Sequence, residues 1–284
     1  MIAPTGSKRA FYSEGDAAVA NAARTGNHLQ ILSSGATTSI EEVIAARGAP
    51  VWFQLYARKW EITQALLKRA ERAGSLVAVV TVDGGAFTNW ETLARLRRID
   101  TRQCDACHGS SIRDYVARRP NFDGIDVSDQ ASMNIANLTW DSIKRLRDST
   151  KVKIVLKGIL THEDAALTAD NGIDAIIVSN HGGRVVDSGR ATIEILPEII
   201  EAVGGRIPVL VDSGFRRGTD IIKALAMGAQ AVCIGRPYCG ASAPSVSRVS
   251  NGFSKSSATK RARSCGRWGL GQSSISPRPM VQRA

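Results

Sequence analysis

The chain has 284 residues, of which 43% are hydrophobic, 22% charged and 5% aromatic. This length and apolar content suit one large globular domain and exclude a chain that is disordered throughout. The formal net charge is +11, but residues 241–284 hold eight of the basic residues, eleven serines and no acidic residue. The excess charge therefore lies mainly in a Ser-rich tail and not on a folded element, which argues against nucleic-acid binding.

Export and disulfide bonding are also not indicated. The sequence has no run of 18 apolar residues, and its first residues lack the basic and long apolar regions of an export signal. Five cysteines are an odd number in a long chain, so a disulfide framework is not expected. We therefore expect a cytoplasmic protein.

Short apolar segments alternate with longer amphipathic segments between residues 1 and 237, which is typical of βα units around a parallel sheet. Strands are predicted at residues 2–5, 29–32, 51–55, 77–82, 153–156, 175–178, 209–211 and 231–234. Helices are predicted at residues 15–25, 39–46, 60–73, 140–149, 161–171, 193–203 and 217–227. Eight strands of this kind predict an α/β fold, a (β/α)8 TIM barrel, over residues 1–237.

Two segments interrupt this pattern. Residues 84–137 form a long, Arg-rich insertion after the fourth predicted strand, and we expect it to form a lid over the face where barrels carry their active sites. After residue 237 the apolar periodicity stops. We therefore expect the eighth helix to be missing and residues 238–284 to form a disordered basic tail.

Polar residues collect where the predicted strands end, and in a barrel these ends share one face. They are Gln54, Tyr56, Thr81, Asp83, Lys157, the segment 179–184 with His181 and Arg184, the segment 212–218 with Asp212, Gly214 and Arg216, and the pair Gly235 and Arg236. The glycines and arginines of the last two groups predict a phosphate site, because glycine lets the backbone approach a ligand and guanidinium binds phosphate.

Eight segments of residues 2–237 serve as anchors for a family resemblance. They read IAPT at 2–5, ILSS at 31–34, WFQLY at 52–56, TVD at 81–83, LKG at 156–158, SNHGGR at 179–184, DSGFRRG at 212–218 and GRP at 235–237. Together they resemble the FMN-dependent α-hydroxy acid oxidases and dehydrogenases, the family of glycolate oxidase, lactate oxidase and mandelate dehydrogenase.

The resemblance implies that FMN lies across the barrel mouth. Arg216, Gly214 and Arg236 would bind its phosphate and Asp212 its ribityl chain, while the positive charge of Lys157 would stabilise the reduced flavin. The full set of cofactor-binding residues implied in this way is Pro4, Thr5, Ser33, Gln54, Thr81, Lys157, Asp212, Gly214, Arg216, Gly235 and Arg236.

The resemblance also implies the chemistry, oxidation of a small 2-hydroxy acid to the 2-oxo acid. His181 would be the base, Asp83 its carboxylate partner, Arg184 the group that binds the substrate carboxylate, and Tyr56 a hydrogen-bonding partner of the substrate oxygen. Lys157 would assist electron transfer to flavin N5. The electron acceptor is oxygen, a quinone or a cytochrome, and intact relatives are expected to be homo-oligomers.

Two alternative functions are kept. One is a phosphate-binding barrel that catalyses an isomerase or lyase reaction, and the other is a catalytically impaired or dead fragment of the family. The fragment alternative rests on three differences between this sequence and the pattern of the family. The chain begins at the first strand and lacks the N-terminal tyrosine of the family, Trp90 stands where the family has an arginine, and the tail has the character of a frameshifted reading. We therefore expect an N-terminally truncated chain with a frameshifted tail.

One motif has a rival chemistry. Cys104, Cys107 and His108 form a C-x-x-C-H pattern, which is typical of covalent haem attachment. A redox-active or metal-binding thiol pair and a purely structural part of the insertion are the alternatives. No other metal site is predicted.

Overall fold

The computed structural model describes residues 1–84, 91–101, 111–127, 138–185 and 189–241. Seven parallel strands form one sheet, and each strand pairs with the next one along the chain. The strands are β1 Ile31–Ser33, β2 Trp52–Tyr56, β3 Val77–Thr81, β4 Lys153–Ile159, β5 Ala175–Val178, β6 Val209–Val211 and β7 Ala231–Val232. Parallel pairing in chain order is the arrangement that the repeated βα pattern predicts.

Helices follow the strands at nearly the predicted positions. Within the described ranges they are α1 Gly15–Thr25, α2 Ile40–Arg47, α3 Trp60–Arg72, α4 Glu91–Ile99, α5 Ile112–Ala117, α6 Trp140–Asp148, α7 His162–Asp170, α8 Thr192–Val203, α9 Gly218–Ala226 and α10 Arg236–Ala241. Several begin where a hydroxyl side chain accepts a backbone amide of the first turn. Ser39 does so for α2 in a capping box with Glu42, and Thr139 and Thr161 do so for α6 and α7.

The N-terminal residues join the two edges of the sheet. The amide of Ile2 donates to the carbonyl of Leu29 at 2.8 Å, and the amide of Ala3 donates to the carbonyl of Ile234 at 2.9 Å. Ile2 thus forms parallel bridges with Gln30 on one side and Ile234 on the other. The barrel is confirmed, but the predicted strand 2–5 is wrong, since its ladder is a single bridging residue. Pro4 lacks the amide hydrogen needed to extend it.

The core has two layers, because strand residues alternate between the inside of the barrel and the helices. Inside the barrel lie Ala3, Ile31, Val77, Val79, Val155, Ala175, Ile177, Leu210 and Cys233. Between the sheet and the helices lie larger side chains such as Leu32, Phe53, Leu66, Leu156, Ile176 and Leu196. Among the described residues, no helix is both long and apolar enough to span a bilayer.

Residues 120–122 of the insertion pack onto the barrel. Asn121 lies in a short 3-10 helix, Pro120–Phe122, and its Oδ1 accepts the amide of Ile40 at 3.0 Å, at the start of α2. Phe122 is buried in the layer between the sheet and the helices. This part of the insertion is therefore fixed to the rim of the barrel.

A helix of only six residues lies where the eighth barrel helix would begin, and the expected lack of a full eighth helix stays a prediction. Helix α10 follows β7 and crosses residue 237, with Tyr238 buried and its hydroxyl donating to the carbonyl of Ala3 at 3.0 Å. Burial of this ring against the N-terminal segment gives the first turn a tertiary contact that the polar composition of the tail does not reveal. Residues 242–284 lie outside the described part of the chain, so the disordered tail and the boundary at 237 stay predictions.

Candidate active site

A cavity of about 680 Å³ opens at the carboxyl ends of the strands. Its size is typical of a pocket for a small molecule or a cofactor. Each residue that the resemblance implies for FMN lines it, as do Tyr56, His181 and Arg184. The structure therefore brings together residues that are spread from Pro4 to Arg236 in the sequence.

The strand register explains why these side chains lie at one depth. In the strand register, Tyr56 of β2 lies opposite Thr81 of β3, and Thr81 lies opposite Lys157 of β4. A register shift between Lys157 and Ile159 marks an irregularity of β4 at this level. Lys157 lies inside β4, which continues to Ile159, and not after the end of the strand as predicted.

His181 is held between a carboxylate and a phenol. Its Nδ1 atom lies 2.9 Å from Oδ1 of Asp83, and its Nε2 atom lies 3.3 Å from the Tyr56 hydroxyl. The His181 backbone has a φ of 56°, a left-handed conformation that is uncommon for residues other than glycine. Its amide donates to Ser179 Oγ at 3.1 Å. The loop therefore fixes the imidazole at the cavity wall, with one ring nitrogen on the buried Asp83.

Asp83 reaches His181 because Gly158, which lies against Asp83 in space, has no side chain. Gly158 has a φ of 111°, and a Cβ atom there would lie 2.6 Å from Cβ and 2.7 Å from Cγ of Asp83. Such distances are far inside van der Waals contact. Gly158 is thus required both for its backbone conformation and for the place that the Asp83 side chain occupies.

The hydroxyl of Tyr56 keeps its proton at physiological pH. Burial, followed by the negative charge of Asp83, raises the pKa of Tyr56 to about 12. The positive charges of Arg184 and Arg58 act in the opposite direction. Tyr56 is therefore a neutral hydrogen-bond donor beside His181.

Lys157 and Asp212 form a buried ion pair in the cavity wall, next to Ser179, which also accepts the amide of His181. The Lys157 Nζ atom lies 3.2 Å from Oδ2 of Asp212 and donates to Ser179 Oγ at 2.8 Å. Asp212 also accepts from the hydroxyl of Ser213 at 2.7 Å, and Ser213 accepts the amide of Gly182 at 3.0 Å. A buried cation held in this way presents a fixed positive charge to a ligand in the cavity.

Three uncharged polar side chains line the wall between β1 and β3. The amide nitrogen of Gln54 donates to Thr81 Oγ1 at 2.8 Å, and Ser33 Oγ accepts the amide of Gly35 at 3.1 Å. Each residue is less than a tenth exposed. These two hydrogen bonds fix donors and acceptors suited to the edge of a heteroaromatic ring.

The arginines of the predicted phosphate site lie near β6 and β7. Arg236 donates to the carbonyl of Gly182 at 2.6 Å, and the side chain of Arg216 donates to the carbonyl of Phe215 at 3.0 Å. Both arginines are exposed. Gly214 has a φ of 82°, and a Cβ atom at this position would meet no atom within 4 Å. Two guanidiniums and open backbone therefore face the same end of the cavity.

Arg58, Tyr115 and Arg119 are among the cavity-lining residues that sequence reasoning missed. The alternation of β2 contains a signal for Arg58, since it continues the series Gln54 and Tyr56 by two residues. Tyr115 and Arg119 come from the insertion, and their arrival at the cavity depends on how that segment folds back. Trp90 and the motif of Cys104, Cys107 and His108 lie outside the described residues, so the interpretations of both stay predictions.

A parallel (β/α) barrel with a buried lysine, a histidine–carboxylate pair and several arginines around one mouth cavity belongs to the class of barrels whose mouth suits a phosphorylated ligand. The family model of the FMN-dependent dehydrogenases matches residues 1–251. The chain belongs to this family.

Related proteins agree with this assignment. A peroxisomal (S)-2-hydroxyacid oxidase of Arabidopsis thaliana is 40% identical over 248 residues, which cover 84% of this chain and 64% of the relative. An L-lactate oxidase of Nostoc sp. is 40% identical over 246 residues, covering 84% of this chain and 66% of the relative. This chain thus spans slightly less than two thirds of the length of these relatives.

A solved structure of mandelate oxidase with (S)-2-phenylpropionate is similar to the fold described above. It superimposes with a TM-score of 0.80 at 35% sequence identity, covering 95% of this chain and 73% of that one. The TIM-barrel architecture is therefore shared with an enzyme of known structure.

The residues present fit FMN, the cofactor of the family. FMN has a phosphate, a hydroxylated chain and a flat ring with polar edges, and the cavity offers a matching group for each. Arg216, Arg236 and Gly214 lie at one end, and Lys157 and Gln54 lie deeper in the wall. Two exposed guanidiniums suit a dianionic phosphate, whereas buried fixed dipoles suit a ring.

Proposed function

We propose that this chain is the flavin-binding barrel of an FMN-dependent (S)-2-hydroxy acid oxidase or dehydrogenase. The observation that carries the proposal is the position of His181, which lines the cavity while its Nδ1 atom lies 2.9 Å from Oδ1 of the buried Asp83. A base that is backed by a carboxylate and faces a cofactor cavity suits removal of a proton from a substrate.

The proton is proposed to leave the substrate for Nε2 of His181. With Nδ1 protonated and donating to Asp83, the Nε2 lone pair is the acceptor, and Asp83 stabilises the imidazolium that forms. Tyr56, which stays protonated because its pKa is about 12, donates to the substrate oxygen or to Nε2. Arg184 lines the cavity and binds the substrate carboxylate.

FMN, when bound, accepts the two electrons released by the substrate. Arg216, Arg236 and Gly214 would hold the phosphate, and Asp212 the ribityl chain. Lys157 would lie near the ring, where its buried positive charge stabilises negative charge. Glycolate, lactate and mandelate are the candidate substrates, in line with the names of the relatives.

The experiment is reconstitution of the purified chain with FMN, followed by anaerobic mixing with (S)-lactate, glycolate and (S)-mandelate in a stopped-flow spectrometer. Bleaching of the flavin absorbance by at least one of them is expected, with loss of bleaching but not of flavin binding in His181→Gln. A chain that binds FMN tightly yet is reduced by none of the three would support the impaired-fragment alternative.

Family membership does not favour the isomerase or lyase alternative, because such reactions need no net electron transfer. Cytoplasmic location is kept as part of the proposal, although the Arabidopsis relative is named as peroxisomal. Fractionation of cells that express the full-length protein at its natural level tests it, and recovery in an organelle fraction would contradict it.

A further inference from the structure

Arg58 is a buried cation on the cavity wall, and the mechanism proposed above does not use it. The residue is 3% exposed and lines the same cavity as Tyr56 and His181. By contrast Arg184, which carries the proposed substrate contact, is exposed. A cation that is shielded from water attracts a bound anion more strongly than one that is solvated.

The position of Arg58 is fixed before any ligand binds. Its amide donates to Thr63 Oγ1 at 2.8 Å, and the same hydroxyl donates to its carbonyl at 3.1 Å, so α3 holds the backbone at this point. The guanidinium lies 5.2 Å from the centre of the Phe122 ring and is hydrogen-bonded to Tyr115. A preorganised group loses little conformational entropy when it binds a ligand.

The surroundings of Arg58 favour an anion. Burial lowers the pKa of Arg58, and the guanidinium of Arg119 acts in the same direction, while the hydroxyls of Tyr115 and Tyr56 oppose them. A carboxylate in the cavity would therefore relieve both the desolvation and the repulsion between the two guanidiniums. Arg58 also acts electrostatically on the Tyr56 hydroxyl, as Arg184 does. Arg58, Arg184 and Tyr56 all line the same cavity.

We propose that Arg58 binds the carboxylate of the 2-hydroxy acid together with Arg184, next to the Tyr56 hydroxyl. This inference rests on the proposed function and deepens it. It assigns part of the recognition of the substrate carboxylate to Arg58, a buried residue two positions after the end of β2. The class of ligand is a small organic anion whose carboxylate is bonded to the carbon that bears the oxidised hydroxyl.

The test uses the full chain loaded with FMN and a ligand that cannot be oxidised. Oxalate is titrated against the flavin absorbance spectrum, and neutral oxamide is titrated in the same way. Arg58→Met removes the charge and keeps a long side chain, whereas Arg58→Lys keeps the charge. Arg113→Met is the matched control, since Arg113 is exposed on α5 of the same insertion that supplies Tyr115.

Arg58→Met is expected to weaken oxalate binding by about 10- to 100-fold, the value of one charge-assisted hydrogen bond. Oxamide binding should change by less than about twofold, Arg58→Lys should recover part of the loss, and Arg113→Met should behave as the parent. In turnover with a 2-hydroxy acid, Arg58→Met should raise KM more than it lowers kcat, because the carboxylate is bound throughout the reaction.

Folding is checked by the Kd for FMN and by thermal unfolding. If Arg58→Met does not fold, Arg58→Gln takes its place, since glutamine removes the charge and retains a polar contact for Tyr115. Equal oxalate affinity in the parent and the charge-free variant would overturn the inference and leave the proposed function intact. Absence of saturable oxalate binding to the FMN-loaded parent would have the same consequence. A parent chain that does not bind FMN would overturn both.

Discussion

The Nδ1 atom of His181 lies 2.9 Å from Oδ1 of Asp83, although 98 residues separate the two in the sequence. The carboxylate is buried, with its side chain 1% exposed, whereas the imidazole side chain is 24% exposed and reaches the cavity. The contact therefore determines which ring nitrogen is available to a ligand. Asp83 holds Nδ1, and Nε2 faces the Tyr56 hydroxyl at the cavity.

Asp83→Asn should slow reduction of the bound flavin by about 10²–10⁴-fold, because a neutral amide cannot stabilise the imidazolium that forms when Nε2 accepts a proton. The Kd for FMN should change little, since the Asp83 side chain lies behind His181. Stopped-flow measurement of flavin bleaching checks this. Asp123→Asn, an exposed carboxylate of the insertion, is the control. A reduction rate within about threefold of the parent would show that Asp83 has no part in the proton transfer.

Gly158→Ala should be costly in stability and in catalysis. The new Cβ would lie 2.6 Å from Cβ of Asp83, and its backbone would keep a φ of 111° that alanine rarely adopts. We expect a loss of about 2–5 kcal/mol in the free energy of unfolding, measured by urea denaturation, and slower flavin reduction. Gly74→Ala separates the two causes, because Gly74 has a φ of 92° with no atom within 4 Å of the added Cβ. Equal losses in the two variants would mean that the clash with Asp83 is unimportant.

Much of this site could be predicted because strand alternation and strand ends are local properties. Gln54 and Tyr56 share a face through the period of β2, and the bounds of α1 follow from its amphipathic pattern. The pairing of Asp83 with His181 is different. It depends on how β3 and β5 lie around the barrel, and the prediction came from family resemblance and not from periodicity.

The parts that could not be predicted depend on contacts between distant segments. The predicted strand at residues 2–5 is reduced to one bridge at Ile2, because Pro4 cannot donate a backbone hydrogen bond. Helix α10 is supported by the packing of Tyr238 on the N-terminal segment. Tyr115 and Arg119 reach the cavity through the fold of the insertion, for which the sequence has no periodic signal. Arg58 is the exception, since its spacing from Tyr56 was a usable signal.

The protein should lose stability as the pH rises from about 9 to 12. Burial raises the pKa of the Cys233 thiol from 9.0 to about 12 and that of the Tyr56 hydroxyl from 10.0 to about 12. In this range the unfolded chain releases these protons while the folded chain keeps them, so the free energy of unfolding decreases with pH. Below about pH 9 these groups are protonated in both the folded and the unfolded chain, and their contribution to the free energy of unfolding is fully present.

Urea midpoints measured from pH 8 to pH 11 check this expectation. Tyr56→Phe and Cys233→Ala remove one titrating group each, and each should flatten the pH dependence relative to the parent even if the variant is less stable overall. The difference between the curves isolates these groups from lysines that titrate in the same range. Parallel curves for the parent and both variants would contradict the assignment.

Lys8 and Asp16 form a buried ion pair that supports the N-terminal segment beside the cavity. The side chains are 6% and 0% exposed, and Nζ of Lys8 lies 2.5 Å from Oδ1 of Asp16. Lys8 also donates to the carbonyl of Thr5 at 2.9 Å, and Asp16 accepts the amide of Thr37 at 3.1 Å. Thr5 lines the cavity, so the pair links the stability of the barrel to the position of a residue implied in FMN binding.

Asp16→Asn should lower the free energy of unfolding by about 3–5 kcal/mol, because it leaves the ammonium of Lys8 buried without its counter-charge. The double variant Lys8→Met and Asp16→Leu should recover part of this loss, since it removes both buried charges. Urea denaturation measures the stability, and FMN fluorescence quenching measures whether displacement of Thr5 weakens cofactor binding. Asp170→Asn is the control, because Asp170 pairs with Arg206 on the surface, where water screens the charges. A loss in Asp16→Asn no larger than in Asp170→Asn would show that Lys8 escapes to solvent, and an unchanged affinity for FMN would separate the ion pair from the cofactor site.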